Sequence, residues 1–263
     1  MVILLSSILT LLLEFLQLPK TKFIALCVPS LGSVSIQWAS HMMELMWPLN
    51  TGRISVFVVG KPVAEARNEA VTRALAFENN EREVSQIFWV DDDVLIARTA
   101  LIKLYQHYAP IVSGVYFSKG DVSEPLIFPG RGCGSLPYIP DQVIETWGHG
   151  SGLTLINTDV YRKMQKELNL PLDKFGNVEW YKTPIEPNYD GTVLWCGGTE
   201  DLFFCENARK LGYKSIVDCT SDAFGWHFDR ATGKGFPRQQ FNAGKTGQPI
   251  VWNTPDGPKE WSN

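Results

Sequence analysis

The sequence contains little cysteine, no N-glycosylation sequon and no excess of positive charge. Its five cysteines include no C-x-x-C pair, which argues against a thiolate zinc site and against a disulfide framework. We interpret them as mostly buried thiols in a reducing compartment and predict a cytoplasmic location. With 24 basic and 28 acidic residues the formal charge is −4. The basic stripe typical of nucleic-acid binders is missing, so we expect no nucleic-acid partner.

A strongly apolar run occupies residues 2–18. No basic residue precedes it and no small-residue cleavage site follows it, so it is a poor signal peptide, and it is short for a bilayer span. Three interpretations are open: a packed or peripheral helix, a helix that anchors the protein by contact with a membrane, and an extension outside the fold. We divide the chain into this segment (1–20), one domain (21–230) and a C-terminal tail (231–263).

Strand-like and helix-like segments alternate at short spacing from residue 21 to residue 117. This alternation is typical of an α/β domain with a mostly parallel sheet and helices on its faces. The apolar patterns predict strands over 23–28, 54–59, 87–90 and 111–117, and helices from Ser33 to about Leu45 and over 64–77 and 101–108.

The second half of the chain is less regular. Residues 118–147 and 169–198 are predicted to be rich in loops, and the later segment is also rich in aromatic residues. Between and after them we expect a strand over 153–156, a helix over 158–168, a helix capped by Thr199, and a last strand over 215–217.

Three consecutive carboxylates, Asp91, Asp92 and Asp93, directly follow the apolar strand 87–90. Carboxylates at the carboxyl end of a buried strand face the crevice in which open α/β sheets bind ligands. Three adjacent negative charges repel one another, and Mg²⁺ or Mn²⁺ held by oxygen ligands would compensate them. The alternative is a solvated acidic turn in which Asp93 caps the next helix. We favour the metal site.

A second acidic pair, Glu200 and Asp201, follows Gly197, Gly198 and Thr199 at a predicted helix start. The helix dipole alone favours acidic residues in a first turn, so a purely structural role is an equal alternative. The same dipole would keep Asp201 ionised, and an ionised carboxylate can act as a general base. The two glycines would let a substrate approach the backbone closely.

Three further motifs carry weaker signals. His227 follows the last predicted strand and is either a metal ligand or a structural histidine. Arg67 and Asn68 lie early in the helix predicted over 64–77, where the arginine could contact a phosphate or a base, or simply face solvent. Residues 148–152 (GHGSG) could bring backbone amides to a ligand or permit a tight entry into the next strand. They fit neither a Walker A nor a Rossmann fingerprint.

Taken in order along the chain, these motifs resemble those of the GT-A-fold glycosyltransferases, and most closely the inverting, family 2-like type. Residues 89–93 (WVDDD) look like the D-x-D motif, and residues 199–201 (TED) look like the x-E-D motif. His227 stands where many members of that family have a C-terminal metal-binding histidine. The resemblance covers residues 21–229. It implies one GT-A-like domain whose Rossmann-like, mostly parallel central sheet is flanked by helices, with a small loop-rich acceptor subregion.

The resemblance also implies a function. The protein would move a sugar from a nucleotide-sugar donor to a hydroxyl of a glycan or other acceptor, with Mn²⁺ or Mg²⁺ as cofactor. Asp201 would be the general base, supported by Glu200. The metal ligands would be Asp91, Asp93 and His227. The nucleotide sugar would contact Pro29, Arg67, Asn68, Asp91 and Asp92, and the acceptor would contact Trp195 and Gly198.

Two other functions are open at this point. A nucleotidyltransferase on a similar fold would usually carry a basic, glycine-rich loop after the first strand, but residues 29–33 (PSLGS) contain no Lys or Arg. A module that binds a nucleotide sugar or a glycan without catalysis is disfavoured by the intact acidic pairs. The chain also has no Q-x-x-R-W pattern, so we expect a non-processive enzyme.

Overall fold

A computed structural model describes residues 19–119, 123–130, 133–184 and 199–236, and gives backbone pairing alone for residues 186–187, 193–194, 250–254 and 257–261. These residues form a Rossmann-like α/β domain in which helices flank a seven-stranded, mostly parallel sheet. The α/β class predicted from the alternating sequence pattern is confirmed.

The helices are α1 (Ile36–Glu44), α2 (Val63–Ala76), α3 (Ala100–Tyr105), α4 (Thr158–Leu168) and α5 (Glu200–Lys210), with one 3₁₀ turn at Ser221–Ala223. The strands are β1 (Thr21–Ser30), β2 (Gly52–Val59), β3 (Arg82–Val90), β4 (Val94–Ile96), β5 (Ile111–Gly114), β6 (Ile127–Phe128), β7 (Val143–Thr146), β8 (Gly148–His149), β9 (Leu153–Asn157), β10 (Glu186–Pro187), β11 (Val193–Leu194), β12 (Ser215–Asp218), β13 (Gly225–Asp229), β14 (Lys234–Phe236), β15 (Ile250–Thr254) and β16 (Gly257–Trp261).

The central sheet has the strand order β2-β1-β3-β9-β5-β12-β7. Strands β2, β1, β3, β5 and β12 point in one direction, whereas β9 and β7 run antiparallel to their neighbours. Strand β1 pairs with β2 on one side and with β3 on the other, so the strand order reverses beside β1. Open α/β sheets bind ligands at such a reversal, outside the carboxyl ends of the strands.

Two hydrophobic cores cover the two faces of the sheet. On one face, the small side chains of Ala70, Val71 and Ala74 let α2 pack closely on the sheet, next to α4 and α5. On the other face, α1 and α3 bury residues such as Trp38 and Leu101. Strand β3 is buried on both faces over residues 87–90, as its continuous apolar run predicts.

A smaller sheet closes the site end of the molecule. Strand β13 pairs antiparallel with β4 on one side and with β14 on the other. This sheet was not predicted, because β4 is only three residues long and follows the three carboxylates directly. It also brings residues 234–236 into the folded domain, although we expected them to belong to the tail that follows residue 230.

Other differences from the sequence-based expectations are local. The N-cap of α1 is Ser35 rather than Ser33, and its hydroxyl accepts a hydrogen bond from the Trp38 amide at 3.0 Å. Helix α3 ends at Tyr105, before the predicted residue 108. In the described part of the chain, no helix combines the length and the apolarity that crossing a bilayer requires. Residues 1–18 lie outside that part, so our interpretations of the apolar run are not addressed.

Candidate functional site

A cavity of about 290 Å³ lies at the strand-order reversal, outside the carboxyl ends of β1 and β3. We call it the donor-side cavity. Its walls include Pro29 and Ser30 from the end of β1, Lys61 and Pro62 ahead of α2, and residues 91–93 after β3. The structure therefore places Pro29 and the three aspartates at one cavity, where the sequence analysis expected a ligand.

The turn that carries the aspartates is held by the backbone. The Val94 amide donates to the Asp91 carbonyl at 3.0 Å, which closes a tight turn. The Trp38 indole Nε1 donates to the same carbonyl at 2.9 Å, and the Phe228 amide donates to the Asp93 carbonyl at 2.6 Å. Neighbouring elements therefore fix the turn, and each carboxylate points to a different partner.

The carboxylate of Asp92 is paired with other groups of the protein. Its Oδ1 lies 2.5 Å from Arg230 Nη2, and its Oδ2 accepts a hydrogen bond from the Leu31 amide at 3.3 Å. Arg230 also donates to the Ser33 carbonyl at 2.6 Å. Asp92 therefore ties the loop after β1 to the end of β13. Both carboxylate oxygens of Asp92 have protein partners, and Asp92 also lines the donor-side cavity, so its contact with the nucleotide sugar stays a prediction.

The carboxylate of Asp93 lies between Lys119 and His227. Lys119 Nζ is 2.5 Å from Oδ2, and His227 Nε2 is 3.4 Å from Oδ1. Burial alone would raise the pKa of Asp93, but the hydrogen bonds and charges of His227 and Lys119 outweigh it and hold the pKa well below its usual range. Asp93 is therefore held in its ionised form.

The ring of His227 is oriented as in a metal ligand. Its Nδ1 lies 3.0 Å from the Phe117 carbonyl oxygen and must donate a proton to it. In the neutral ring, Nε2 then carries a lone pair that faces the Asp93 carboxylate, which is unfavourable unless a proton or a cation lies between them. Metal-binding histidines commonly donate their second ring N–H to a carbonyl in this way.

Asp91 turns away from this pair and contacts Arg67. Arg67 Nη2 donates to Asp91 Oδ1 at 2.9 Å, while Arg67 Nε lies 3.3 Å from Glu200 Oε1 and 3.5 Å from Asp201 Oδ1. The arginine is only 1% exposed. One buried guanidinium on α2 thus joins a carboxylate at the end of β3 to the two acids that begin α5.

The three acids share a single positive charge, so their ionisation is uneven. Burial raises the pKa of Asp91 to about 6 despite the opposing effect of Arg67, and the charges of Asp93 and Asp201 add to the rise. Burial, and then the charge of Asp201, raises the pKa of Glu200 well above its usual range. Asp201 Oδ1 and Arg67 Nη1 are buried and make no hydrogen bond within the described residues. Buried polar atoms without a partner often mark the place of a water molecule or a ligand.

Asn68 and Arg67 are buried and have internal partners, so neither lies on the solvated helix face that was the alternative interpretation of this motif. Asn68 Nδ2 donates to the Tyr181 carbonyl at 2.9 Å, and its Oδ1 accepts from the Tyr181 amide at 2.8 Å. Tyr181 and Trp89 lie 5.8 and 5.1 Å from the Arg67 guanidinium, in cation–π contact. The two residues therefore help to build the wall of the site, and their direct contact with the donor stays a prediction.

The glycines of residues 148–152 serve close packing. A side chain at Gly152 would place its Cβ 2.8 Å from Asp91 Oδ2 and 2.9 Å from Tyr116 Oη. The Gly152 amide donates to the Tyr116 hydroxyl at 2.8 Å. Of the two interpretations of this run, the structure supports the tight entry into β9. That entry also sets the position of Asp91.

A larger cavity of about 520 Å³ adjoins the start of α2 and is partly lined by Asn68, Asp173, Lys174 and Tyr181. Of the aromatic residues in this later segment, Trp180 and Tyr181 are buried in the core, whereas Phe175 is 49% exposed. The predicted acceptor residues Trp195 and Gly198 lie outside the described residues.

The donor atoms fit a divalent cation in type, but they do not converge fully. Asp93 and His227 face each other, while Asp91 is held by Arg67. Within the described ranges, no group of three or more His, Cys, Asp or Glu side chains is arranged to hold a metal ion. Asp91 would have to leave Arg67 to complete the predicted set.

The sequence analysis missed Lys119, Arg230 and Tyr116. The only available signal for the two basic residues was the charge of three consecutive aspartates, which must be compensated by something. It did not indicate which basic residues would supply the compensation, because both come from distant parts of the chain.

Comparisons with known proteins bear on the fold. No protein-family model matches the chain, and no curated protein matches it. Among solved structures, the chain is similar to the crystal structure of A197 from STIV, with a TM-score of 0.50 and 14% identity, over 92% of this chain and 95% of that one. At this identity the likeness shows a shared α/β fold alone.

Proposed function

We propose that this protein is a metal-dependent glycosyltransferase that moves a sugar from a nucleotide-sugar donor to an acceptor hydroxyl, with inversion and without processivity. One observation carries the proposal. Arg67 connects Asp91, at the rim of the donor-side cavity, to Glu200 and Asp201 at the start of α5. A donor-side carboxylate and a candidate base thus contact one buried guanidinium.

The donor would occupy the donor-side cavity, against Pro29 and the aspartate turn. Asp91, Asp93 and His227 would hold Mn²⁺ or Mg²⁺. Such an ion, when bound, neutralises negative charge on the departing nucleoside diphosphate. Lys119, which already contacts Asp93, adds a second positive charge on that side.

Asp201 would act as the general base. Its Oδ1 is buried and accepts no hydrogen bond within the described residues, so a lone pair is available for the proton of an acceptor hydroxyl. The acceptor oxygen then attacks the anomeric carbon from the face opposite the diphosphate, and the bond from that carbon to the diphosphate oxygen breaks. Arg67 keeps a positive charge beside Asp201. Glu200, with its raised pKa, holds a proton more readily and would orient the acceptor.

A non-catalytic module that binds a nucleotide sugar or a glycan is the second candidate. The observation that favours it is the pairing of the aspartates with Arg67, Arg230 and Lys119, which compensates their charge without a metal. Such a module would bind the donor without turnover.

We also propose a cytoplasmic location. Cys27, Cys205 and Cys219 are buried free thiols, which suits a reducing compartment. Peripheral membrane association through residues 2–18 is an alternative hypothesis.

A thermal-shift experiment tests donor binding. The protein is crossed with UDP-, GDP-, CMP- and dTDP-sugars in the presence of Mn²⁺, Mg²⁺ or EDTA, because a ligand of the folded state raises Tm. We expect one nucleotide class to raise Tm with metal, and the rise to disappear with EDTA or in Asp93→Asn. The control Asp222→Asn alters an exposed carboxylate of the 3₁₀ turn and should keep the rise. No rise with any donor would contradict the proposal.

Turnover separates the two candidates. Asp201→Asn should keep the donor-induced rise in Tm but lose release of the nucleoside diphosphate in the presence of acceptor glycans. Glu167→Gln, an exposed change on α4, is the matched control. If the wild type binds donor but releases no diphosphate with any acceptor or with water, the non-catalytic module is the better account.

A further inference from the structure

A separate cavity of about 220 Å³ lies at the amino edge of the central sheet, at the far end of β3 from the aspartates. We call it the amino-edge cavity. Its lining includes Ser85 and Gln86 of β3, Tyr105 and Tyr108 at and after the end of α3, and Asn157 at the end of β9. Because β9 runs antiparallel to β3, its last residue lies beside the first half of β3. Nothing in the proposed function uses this cavity.

Two backbone irregularities shape it. Ser85 is an extra residue in β3, since consecutive residues of β1 pair with Val84 and Gln86. Bulges of this kind redirect neighbouring side chains and are common beside functional sites. Tyr108 has a φ of 53°, in the left-handed region that is unfavourable for a bulky residue. The residue is 82% exposed, so burial of its side chain does not offset the strain.

Two groups at the cavity have hydrogen-bonding capacity that the described residues do not use. Gln86 Nε2 donates to Asn157 Oδ1 at 3.0 Å, but Gln86 Oε1 is buried and accepts no hydrogen bond within the described residues. Asn157 is the N-cap residue of α4, yet its side chain makes no capping bond to the helix. The lining residues therefore include an amide oxygen without a partner and the start of a helix without a side-chain cap.

Charge selects against an ionic ligand. Lys22 and Glu83 contribute one charge of each sign to the lining, and Asp159 is paired with Arg162 at 2.9 Å. The rings of Tyr105 and Tyr108 are 6.1 Å apart and tilted by 55°, which leaves the exposed face of Tyr108 open to a flat, apolar ring face.

We propose that the amino-edge cavity is a binding site for a neutral, polyhydroxylated ring, that is, a saccharide unit. One face of the ring lies on Tyr108, a hydroxyl donates to Gln86 Oε1, and another hydroxyl accepts from the first turn of α4. This site is distinct from the donor-side cavity and does not depend on the proposed transferase activity.

Saturation-transfer NMR on the full chain tests this proposal, with glucose, galactose, mannose and N-acetylglucosamine as probes at up to about 10 mM. We expect transfer to the ring protons of at least one sugar, and its loss in Tyr108→Gly and in Gln86→Leu. Glycine accepts the left-handed backbone without strain, so the Tm of Tyr108→Gly should not fall below that of the wild type. Leu49→Ala, which changes an exposed apolar residue elsewhere, should leave the transfer unchanged.

Two results would overturn the proposal. One is the absence of transfer to all four sugars from the wild type. The other is transfer that persists in both Tyr108→Gly and Gln86→Leu, because the sugars would then bind elsewhere. Asp201→Asn should keep the transfer, so the fate of this site is separable from that of the proposed transferase.

Discussion

The two edges of the central sheet carry polar groups of different kinds. At the carboxyl edge, Asp91, Asp92 and Asp93 each contact a basic side chain, and the groups are partly buried. At the amino edge, Gln86 and Asn157 lie beside tyrosine rings, with little net charge. One fold thus offers an ionic environment suited to a charged ligand at one end and a neutral one at the other. The unfolding free energy should also be far more sensitive to the loss of a single group at the carboxyl edge than at the amino edge.

The largest effect is expected for Arg67→Met, which leaves three acids without their shared counter-ion. Removing one partner of a buried ion pair costs about 3–5 kcal/mol of unfolding free energy. At the amino edge, Gln86→Leu removes an unpartnered carbonyl and one hydrogen bond to Asn157, and should cost about 1 kcal/mol of unfolding free energy. Denaturant unfolding measures both, and Arg73→Met on the exposed side of α2 is the control for Arg67. Equal losses of unfolding free energy in Arg67→Met and Gln86→Leu would contradict the predicted difference between the two edges.

Gly152→Ala tests how tightly the carboxyl edge of the sheet is packed. The new Cβ would meet both Asp91 Oδ2 and Tyr116 within 3 Å, so we expect a loss of about 1–3 kcal/mol. Gly134 has nothing within 4 Å of an added Cβ, so Gly134→Ala should be neutral or slightly stabilising. The melting temperatures of the two variants and the wild type provide the measurement. Equal values for the two variants would show that the entry into β9 can accommodate an added methyl group.

The neighbours Asp91 and Asp93 should respond to pH in opposite senses. Burial raises the pKa of Asp91 from 3.8 to about 6, so its ionisation costs stability as pH rises through that interval. The pKa of Asp93 is lowered, so its carboxylate stabilises the fold above its unfolded value and loses that contribution as pH falls.

As pH rises from 4 to 6, the unfolding free energy of Asp91→Asn should therefore increase relative to that of the wild type by about 2 kcal/mol. Asp93→Asn should instead fall further behind the wild type as pH rises toward about 4, and stay behind by a constant amount at higher pH. Unfolding free energies at a series of pH values provide the measurement. Parallel curves for the two variants would contradict the assigned environments.

The smallest effect on stability is expected for Lys119→Met, because this ion pair is partly exposed and worth about 0.5 kcal/mol. Its effect on metal binding should be larger, since Lys119 and a divalent cation would compete for the Asp93 carboxylate. We expect Mn²⁺ to raise Tm more in Lys119→Met than in the wild type. Lys214→Met, which removes an exposed pair with Glu145, should not change the Mn²⁺ response.

The sequence predicted the strands and helices near the site well, for local reasons. The apolar run 87–90 is a buried strand, and Thr199 precedes α5 with Glu200 and Asp201 in its first turn. These features depend on neighbouring residues, which the sequence displays directly. The small sheet of β4, β13 and β14 was missed, because β4 is only three residues long and pairs with β13 about 130 positions later in the chain.

Local sequence patterns are enough to predict that three carboxylates end a buried strand and that two more start a helix. Which cations these carboxylates meet depends on the tertiary structure. Arg67 reaches Glu200 across 133 positions, and Arg230 reaches the Asp92 backbone across 138. Local patterns predict where a side chain leaves its own strand or helix. The partner of a buried charge depends on which strands and helices pack together, and that is set by the packing of the whole chain.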